Sequence, residues 1–177
     1  MVDFTSNTYI AAQVFALASM IVSIWSQQCK TRMMLLVLFI VANLLNAVHF
    51  QLLGAITGMA MALIGAVRFG VNIFSTNKLW LAFFLLINTA ATYLVFEGWV
   101  LSVTSYLAAT FIILSTFLTS DHWMRISIIL GAFGWLVYGI MIGSIVAVIS
   151  GAVFFISSIT GWYQHIYRTE KRMRAVA

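Results

Sequence analysis

Residues 33–74 read MMLLVLFIVANLLNAVHFQLLGAITGMAMALIGAVRFGVNIF. The stretch breaks at Leu53-Gly54 into two apolar runs, Met33 to Gln51 and Ala55 to Phe74. At about 1.5 Å per residue, each is long enough to cross a hydrocarbon core of roughly 30 Å with modest tilt or local thinning. Two spans joined by so short a turn must lie antiparallel and side by side. This hairpin decides the fold, and the rest of the chain repeats its grammar.

The 177 residues are 63% hydrophobic and 7% charged, with a mean hydropathy of +1.07. That balance excludes an ordinary soluble domain, in which apolar residues are nearer half. Apolar runs predict seven spans: Tyr9 to Ser26, Met33 to Gln51, Ala55 to Phe74, Leu79 to Phe96, Trp99 to Leu118, Met124 to Ile142 and Ile145 to Tyr163. The chain has no proline to kink any of them. Cys29 is the only cysteine, which rules out an internal disulfide and C-x-x-C chemistry. The N-terminal MVDFTSNTYI has an acid and no basic residue, so the first span reads as a retained helix rather than a cleaved signal peptide.

Charge sorts cleanly on this count. One side holds Lys30, Arg32, Lys78, Arg125, Arg168, Lys171, Arg172 and Arg174; the other holds Asp3 and Glu97 with no lysine or arginine. The positive-inside rule then puts the N-terminus out and the C-terminus in. A pI near 9.7 therefore reports topology rather than nucleic-acid binding. The tail RTEKRMR is expected to meet anionic lipids, at about 1 kcal/mol per basic residue.

The second and third spans can be laid on the sixth and seventh. HFQLLGAITGMAMALIGAVRF beside YGIMIGSIVAVISGAVFFISS sets Gly54 on Gly143, Ile56 on Ile145, His49 on Tyr138 and Arg68 on Ser157. Upstream, AAQVFALASMIVSIWSQQ sits against TSYLAATFIILSTFLTSD. The expected organisation is a single all-α polytopic membrane domain with a three-plus-one-plus-three plan. Its parts are a first unit (9–75), a linker helix (79–96), a second unit (99–164) and a basic cytoplasmic tail (165–177). Parallel repeats of this kind hold their site near the midplane, at the interface between repeats.

Polar residues in such spans carry a functional reading and a structural one. Asn43, Asn46 and His49 recur every three residues along one stripe; Arg68 and Asn72 lie four apart; Asn88 falls near the middle of the fourth span. Trp135 and Tyr138 match the depths of Asn46 and His49, while Ser150 and Ser157 offer hydroxyls from the last span. Together these would line a polar column of substrate-binding residues. Alternatively, the asparagines bridge helices, His49 bonds a carbonyl of the outer turn, and Arg68 snorkels to headgroups. Arg68 has no acid on its own helix, so its partner is Asp121 across a packing, an anionic solute group, a phospholipid or buried carbonyls. The small-residue series Gly54, Gly58, Ala62, Gly65, Ala66 reads as a close-packing face.

At AVHFQLLGAITG, VRF, KLW and MRISIILGAFGWLVYGIMIGSI the chain resembles the YgjV-type family of bacterial inner-membrane proteins, over about residues 15–168. The residues carrying the likeness include His49, Gly54, Arg68, Trp80, Arg125, Trp135 and Gly143. More distantly it is similar to the SWEET and PQ-loop group, which includes sugar transporters, PnuC-type vitamin transporters and the KDEL receptor. That resemblance implies the same three-plus-one-plus-three plan with an outside N-terminus. The chain lacks every proline of the PQ-type motif, so a proline hinge is not carried over.

Catalysis is disfavoured, because none of the four acids, Asp3, Glu97, Asp121 and Glu170, falls inside a span and neither G-x-S-x-G nor H-E-x-x-H occurs. His49 lies on the opposite side from His122 and His165, which disfavours haem, and no cofactor or metal is expected. The reading is a transporter or facilitator for a small polar or anionic solute in the bacterial inner membrane, with a homo-oligomer compatible with it. The alternative is a non-transporting receptor or assembly protein using the same pocket.

Overall fold

A computed structural model describes residues 6–27, 31–75, 77–118 and 120–176, without the side chains of residues 27, 32, 121 and 165–176. Among the described residues there are seven helices: α1 (Asn7–Gln27), α2 (Arg32–Leu52), α3 (Ile56–Phe74), α4 (Leu79–Leu94), α5 (Trp99–Phe117), α6 (Asp121–Met141) and α7 (Ile145–Val176). α2 packs between α1 and α3, and α6 packs between α5 and α7. α4 lies against α3 and α5, and the two sets of three meet along α3–α5 and α1–α7.

The residues turned outward are apolar, with Val14, Val67, Leu86, Val100 and Ile156 all more than half exposed. Ser19, His49, Thr57, Arg68, Asn88 and Ser105 are buried instead. This inversion of the soluble pattern is what a hydrocarbon solvent imposes, since polar groups there must be satisfied inside the protein.

Six of the helices are long and apolar enough to cross a membrane; α4 is the shorter one. The fourth span was expected to run to Phe96, but the helix stops at Leu94, where Val95 leaves helical geometry at φ −112°, ψ 39°. The chain then runs non-helical to Gly98. It brings Glu97 onto the first residues of α3, so Leu79 to Glu97 runs back along the whole length of α3. The last helix also exceeds its expected span, continuing through the basic tail to 32 residues.

The two hairpin turns are built alike. Gly54 and Gly143 sit at φ 72° and φ 67°, the left-handed region open to glycine. In the first turn Leu53 N–H donates to His49 O, Gly54 N–H to Gln51 O and Ala55 N–H to Phe50 O. In the second, Ile142 donates to Tyr138 O, Gly143 to Ile140 O and Ser144 to Gly139 O. Each closing bond spans five residues, the Schellman pattern that satisfies otherwise orphaned carbonyls. Arg32–Leu52 and Asp121–Met141 are both 21 residues long and stand 89 positions apart at either end. The overlay of the first helices is shifted by about one turn from expectation, since α1 ends at Gln27 and α5 at Phe117.

Gly54 has open space around the position of a Cβ, so the conformation alone demands glycine there. We expect Gly54→Ala to destabilise the protein by about 1–2 kcal/mol, read as a lowered thermal midpoint in detergent. An unchanged midpoint would contradict the turn geometry.

Candidate functional site

The polar side chains of the interior fall into groups at opposite ends of the bundle. The end with the glycine turns holds the first. α3 starts at Ala55 with no side-chain cap from that residue, leaving its first N–H groups to be satisfied from elsewhere. Glu97 does this: Oε1 accepts from Ile56 N–H at 2.6 Å, and Oε2 accepts from Thr57 N–H at 2.7 Å and the Thr57 hydroxyl at 2.6 Å. A carboxylate there also meets the positive end of the helix dipole. Glu97 is fixed in turn, its own N–H donating to Ser102 Oγ of α5 at 2.9 Å.

Tyr138, from α6, completes the same turn. It is fully buried, and its oxygen accepts from Gly58 N–H at 2.9 Å and lies 3.3 Å from Thr57 Oγ1. Because the Thr57 hydroxyl gives its hydrogen to Glu97, the phenol donates to Thr57. Gly58 makes this approach workable, since a Cβ there would sit 2.6 Å from the phenol oxygen. Phe50 stacks on Trp135 with ring centroids 5.9 Å apart and meets Tyr138 edge-on at 5.6 Å, while His49 lies against Phe50 at 5.0 Å. Trp135, Tyr138 and His49 are thus brought into one aromatic cluster, joining α2 and α3 to α6.

The equivalent start of α7 is held differently. Gln13 Oε1 of α1 accepts from Val146 N–H at 3.0 Å and the Ser144 hydroxyl at 3.2 Å, and the Tyr9 hydroxyl donates to Gly143 O at 3.1 Å. A neutral amide occupies the place that a carboxylate takes at α3. The His49 ring approaches Ala12 O through Nδ1 at 2.9 Å, so Nδ1 carries the proton. His49 therefore ties α2 to α1 rather than to its own turn, and its buried Nε2 has no partner.

The other end holds Arg68, only 3% exposed. Its Nη1 donates to Ile112 O at 3.0 Å and to Thr116 Oγ1, both on α5. Its guanidinium carbon lies 4.6 Å from the centroid of the Phe69 ring, which stacks on Phe39. α5 ends at Phe117, so the cation meets a carbonyl five residues before the end of that helix. Of the partners weighed for Arg68, the buried carbonyl is the one observed; the Asp121 side chain lies outside the described residues. Arg68 Nε is buried without a partner, and Asn72 is buried one turn further on.

The remaining candidates stand apart. Asn88 ties α4 to α5, donating to Tyr106 O at 3.3 Å and Thr110 Oγ1 at 3.0 Å, while its Oδ1 is buried and unpartnered. Asn43 donates to Phe39 O of its own helix and packs over Gly65, where a Cβ would meet its oxygen at 2.5 Å. Asn46 is half-buried between Asn43 and His49. Ser150 donates to Ala147 O of its own helix, and Ser157 is exposed on the outside of α7, so neither extends the polar column expected from them. The basic tail side chains, with Lys30 and Arg32, lie outside the described residues.

Sequence reasoning missed Glu97 and Gln13 as interior groups. Glu97 followed by Gly98 reads as a loop acid ahead of α5, yet the helix it caps is α3, some forty residues earlier in the chain. Only the repeated turn carried a signal: an N-terminus starting at Ile56 without a Ser, Thr, Asp or Asn cap needs a donated one. We expect Tyr138→Phe to destabilise the fold by about 1–3 kcal/mol, because Gly58 N–H is left buried without an acceptor. The same thermal measurement checks it, and a variant as stable as the parent would contradict the contact.

The Imp-YgjV family, described as bacterial inner membrane proteins, matches the chain over residues 10–170. Neither curated proteins nor solved structures yield a match. With that match covering most of its length and six helices fit to cross a bilayer, the chain belongs to the Imp-YgjV family of multi-pass bacterial inner membrane proteins.

Proposed function

We propose that the protein is a small-solute transporter or facilitator whose two three-helix units, α1–α3 and α5–α7, flank the solute path, with α4 as the linker that lets both insert in the same orientation. The N-terminus is outside and the basic tail inside, facing anionic lipid headgroups. The observation carrying this reading is the seam between the matched hairpins. There Phe50, Trp135 and Tyr138 stack where the units meet, and the likeness of the two turns supports treating the units as repeats.

Aromatic planes at a seam suit a ring-shaped solute such as a sugar, nucleoside or vitamin, and Asn43, Asn46, His49 and Asn88 are the hydrogen-bonding groups nearest in kind to such a ligand. The unpartnered His49 Nε2, Asn88 Oδ1 and Arg68 Nε are buried polar atoms of the sort a passing solute can satisfy. Arg68 and Asn72 favour a polar or anionic group towards the basic end. No coupling ion is part of this reading; solute moves down its gradient.

Proteoliposomes carrying the purified protein test it with a panel of radiolabelled monosaccharides, nucleosides and ring-containing vitamins. We expect saturable uptake of at least one class, lowered about tenfold or more by Trp135→Ala and by Asn46→Ala. Uptake no faster than in empty liposomes across the panel would refute transport, and binding without flux would favour the receptor reading.

A further inference from the structure

α3 and α5 belong to different units, and the charged contacts between them sit at opposite ends. Near the glycine turns, Glu97 is held by Ser102 of α5 and grips the first turn of α3. Near the basic end, Arg68 of α3 grips Ile112 O and Thr116 in the last two turns of α5. The two grips are 11 or 12 residues apart along α3, about 17 Å. The first sets a carboxylate on the positive end of α3, the second sets a guanidinium against a carbonyl and a hydroxyl in the C-terminal part of α5, and neither charge pairs with the other.

We infer that these contacts are the two gates of the solute path, Glu97 closing the glycine-turn end and Arg68 closing the basic end, with both closed in this structure. The inference rests on the transport reading. A path between two units needs a closure at each face, broken one at a time. A contact made by one side chain is suited to this, because breaking it exposes a few hydrogen-bonding groups to water and leaves the α2–α3 and α6–α7 packing intact.

The asymmetry of the two hairpins points the same way. The matching start of α7 is held by Gln13 within the α1–α7 contact, an uncharged amide whose Nε2 is buried. The start of α3 is held by a half-buried carboxylate taken from the connection into α5. An ion at a partly wet position exchanges its helix contacts for water more readily than a buried amide does. The α3–α5 seam is thus the side built to part. Facing Glu97 are Thr57 and the backbone of α3, Ser102 of α5 and the Tyr138 phenol of α6.

Met59 stands two residues beyond Thr57 on α3, partly buried against the cluster of Ala47, Phe50, Ala55, Ala62 and Tyr138. It reports on the Glu97 end when replaced by cysteine in a Cys29→Ser background. The full chain in nanodiscs, open to reagent on both faces, is treated with a membrane-impermeant maleimide. Glu97→Gln should speed labelling of the Met59→Cys thiol about tenfold. Arg68→Gln should leave it unchanged or slow it, because opening the basic end favours closure at the other. Labelling unaffected by Glu97→Gln, or raised equally by both substitutions, would overturn the assignment, the latter marking simple loosening of the bundle. Flux is scored separately in proteoliposomes: gating of the thiol without flux leaves the two contacts in place and removes the transport reading alone.

Discussion

Lipid offers no hydrogen bonds, so every helix end that stays within the bundle must be satisfied by the protein itself. The start of α3 is one such end, and two charges brought from other elements govern how α3 sits against α5. Glu97 supplies acceptors to the first turn of α3, and Arg68 supplies donors to the last turns of α5. A charge at a helix terminus contributes typically 0.3–1 kcal/mol, and about 2 kcal/mol when partly buried. The larger consequence is positional, because together they fix the depth of α3 against α5. The short α4 belongs to the same arrangement: its helix ends at Leu94, and the non-helical residues that follow carry Glu97 to the start of α3.

Around that seam the remaining polar groups hold helices in pairs. His49 joins α2 to α1, Asn88 joins α4 to α5, and Gln13 joins α1 to α7. Each keeps one buried polar atom unpartnered. Side chains that make only part of their hydrogen bonds with protein can position helices and still meet a solute, which reconciles the structural and functional readings of the same residues. Of the small-residue series, Gly58 beneath Tyr138 and Gly65 beneath Asn43 serve close approach, while Gly54 serves the turn and meets no neighbour.

Much of this was legible in the sequence because it depends on local pattern. Run length and glycine punctuation located the helices to within a few residues except at the end of α7, which runs on to Val176, and the Gly54–Gly143 correspondence proved to be one turn built twice. The likeness to the YgjV family likewise matches the family assignment. What stayed hidden depends on contacts distant in the chain. The cap of α3 comes from Glu97, the partner of His49 is Ala12 O on another helix, and among the partners weighed for Arg68 no side-chain pattern singled out the carbonyl of Ile112 or the hydroxyl of Thr116. The end of α4 was misjudged for a related reason: Val95 and Phe96 are apolar enough to read as helix, while the helix stops at Leu94 and the chain turns at Val95 towards the distant contact of Glu97.

The central claim is that the Glu97 contact holds α3, with its hairpin, against the start of α5 at the glycine-turn end. Gln51 and Ile140 are exposed, matched positions near the ends of α2 and α6, suited to spin labels in a Cys29→Ser background. Pulsed electron paramagnetic resonance between them should give one narrow distance in the parent and a longer, broader component in Glu97→Gln. An identical distance distribution in both proteins would contradict the account.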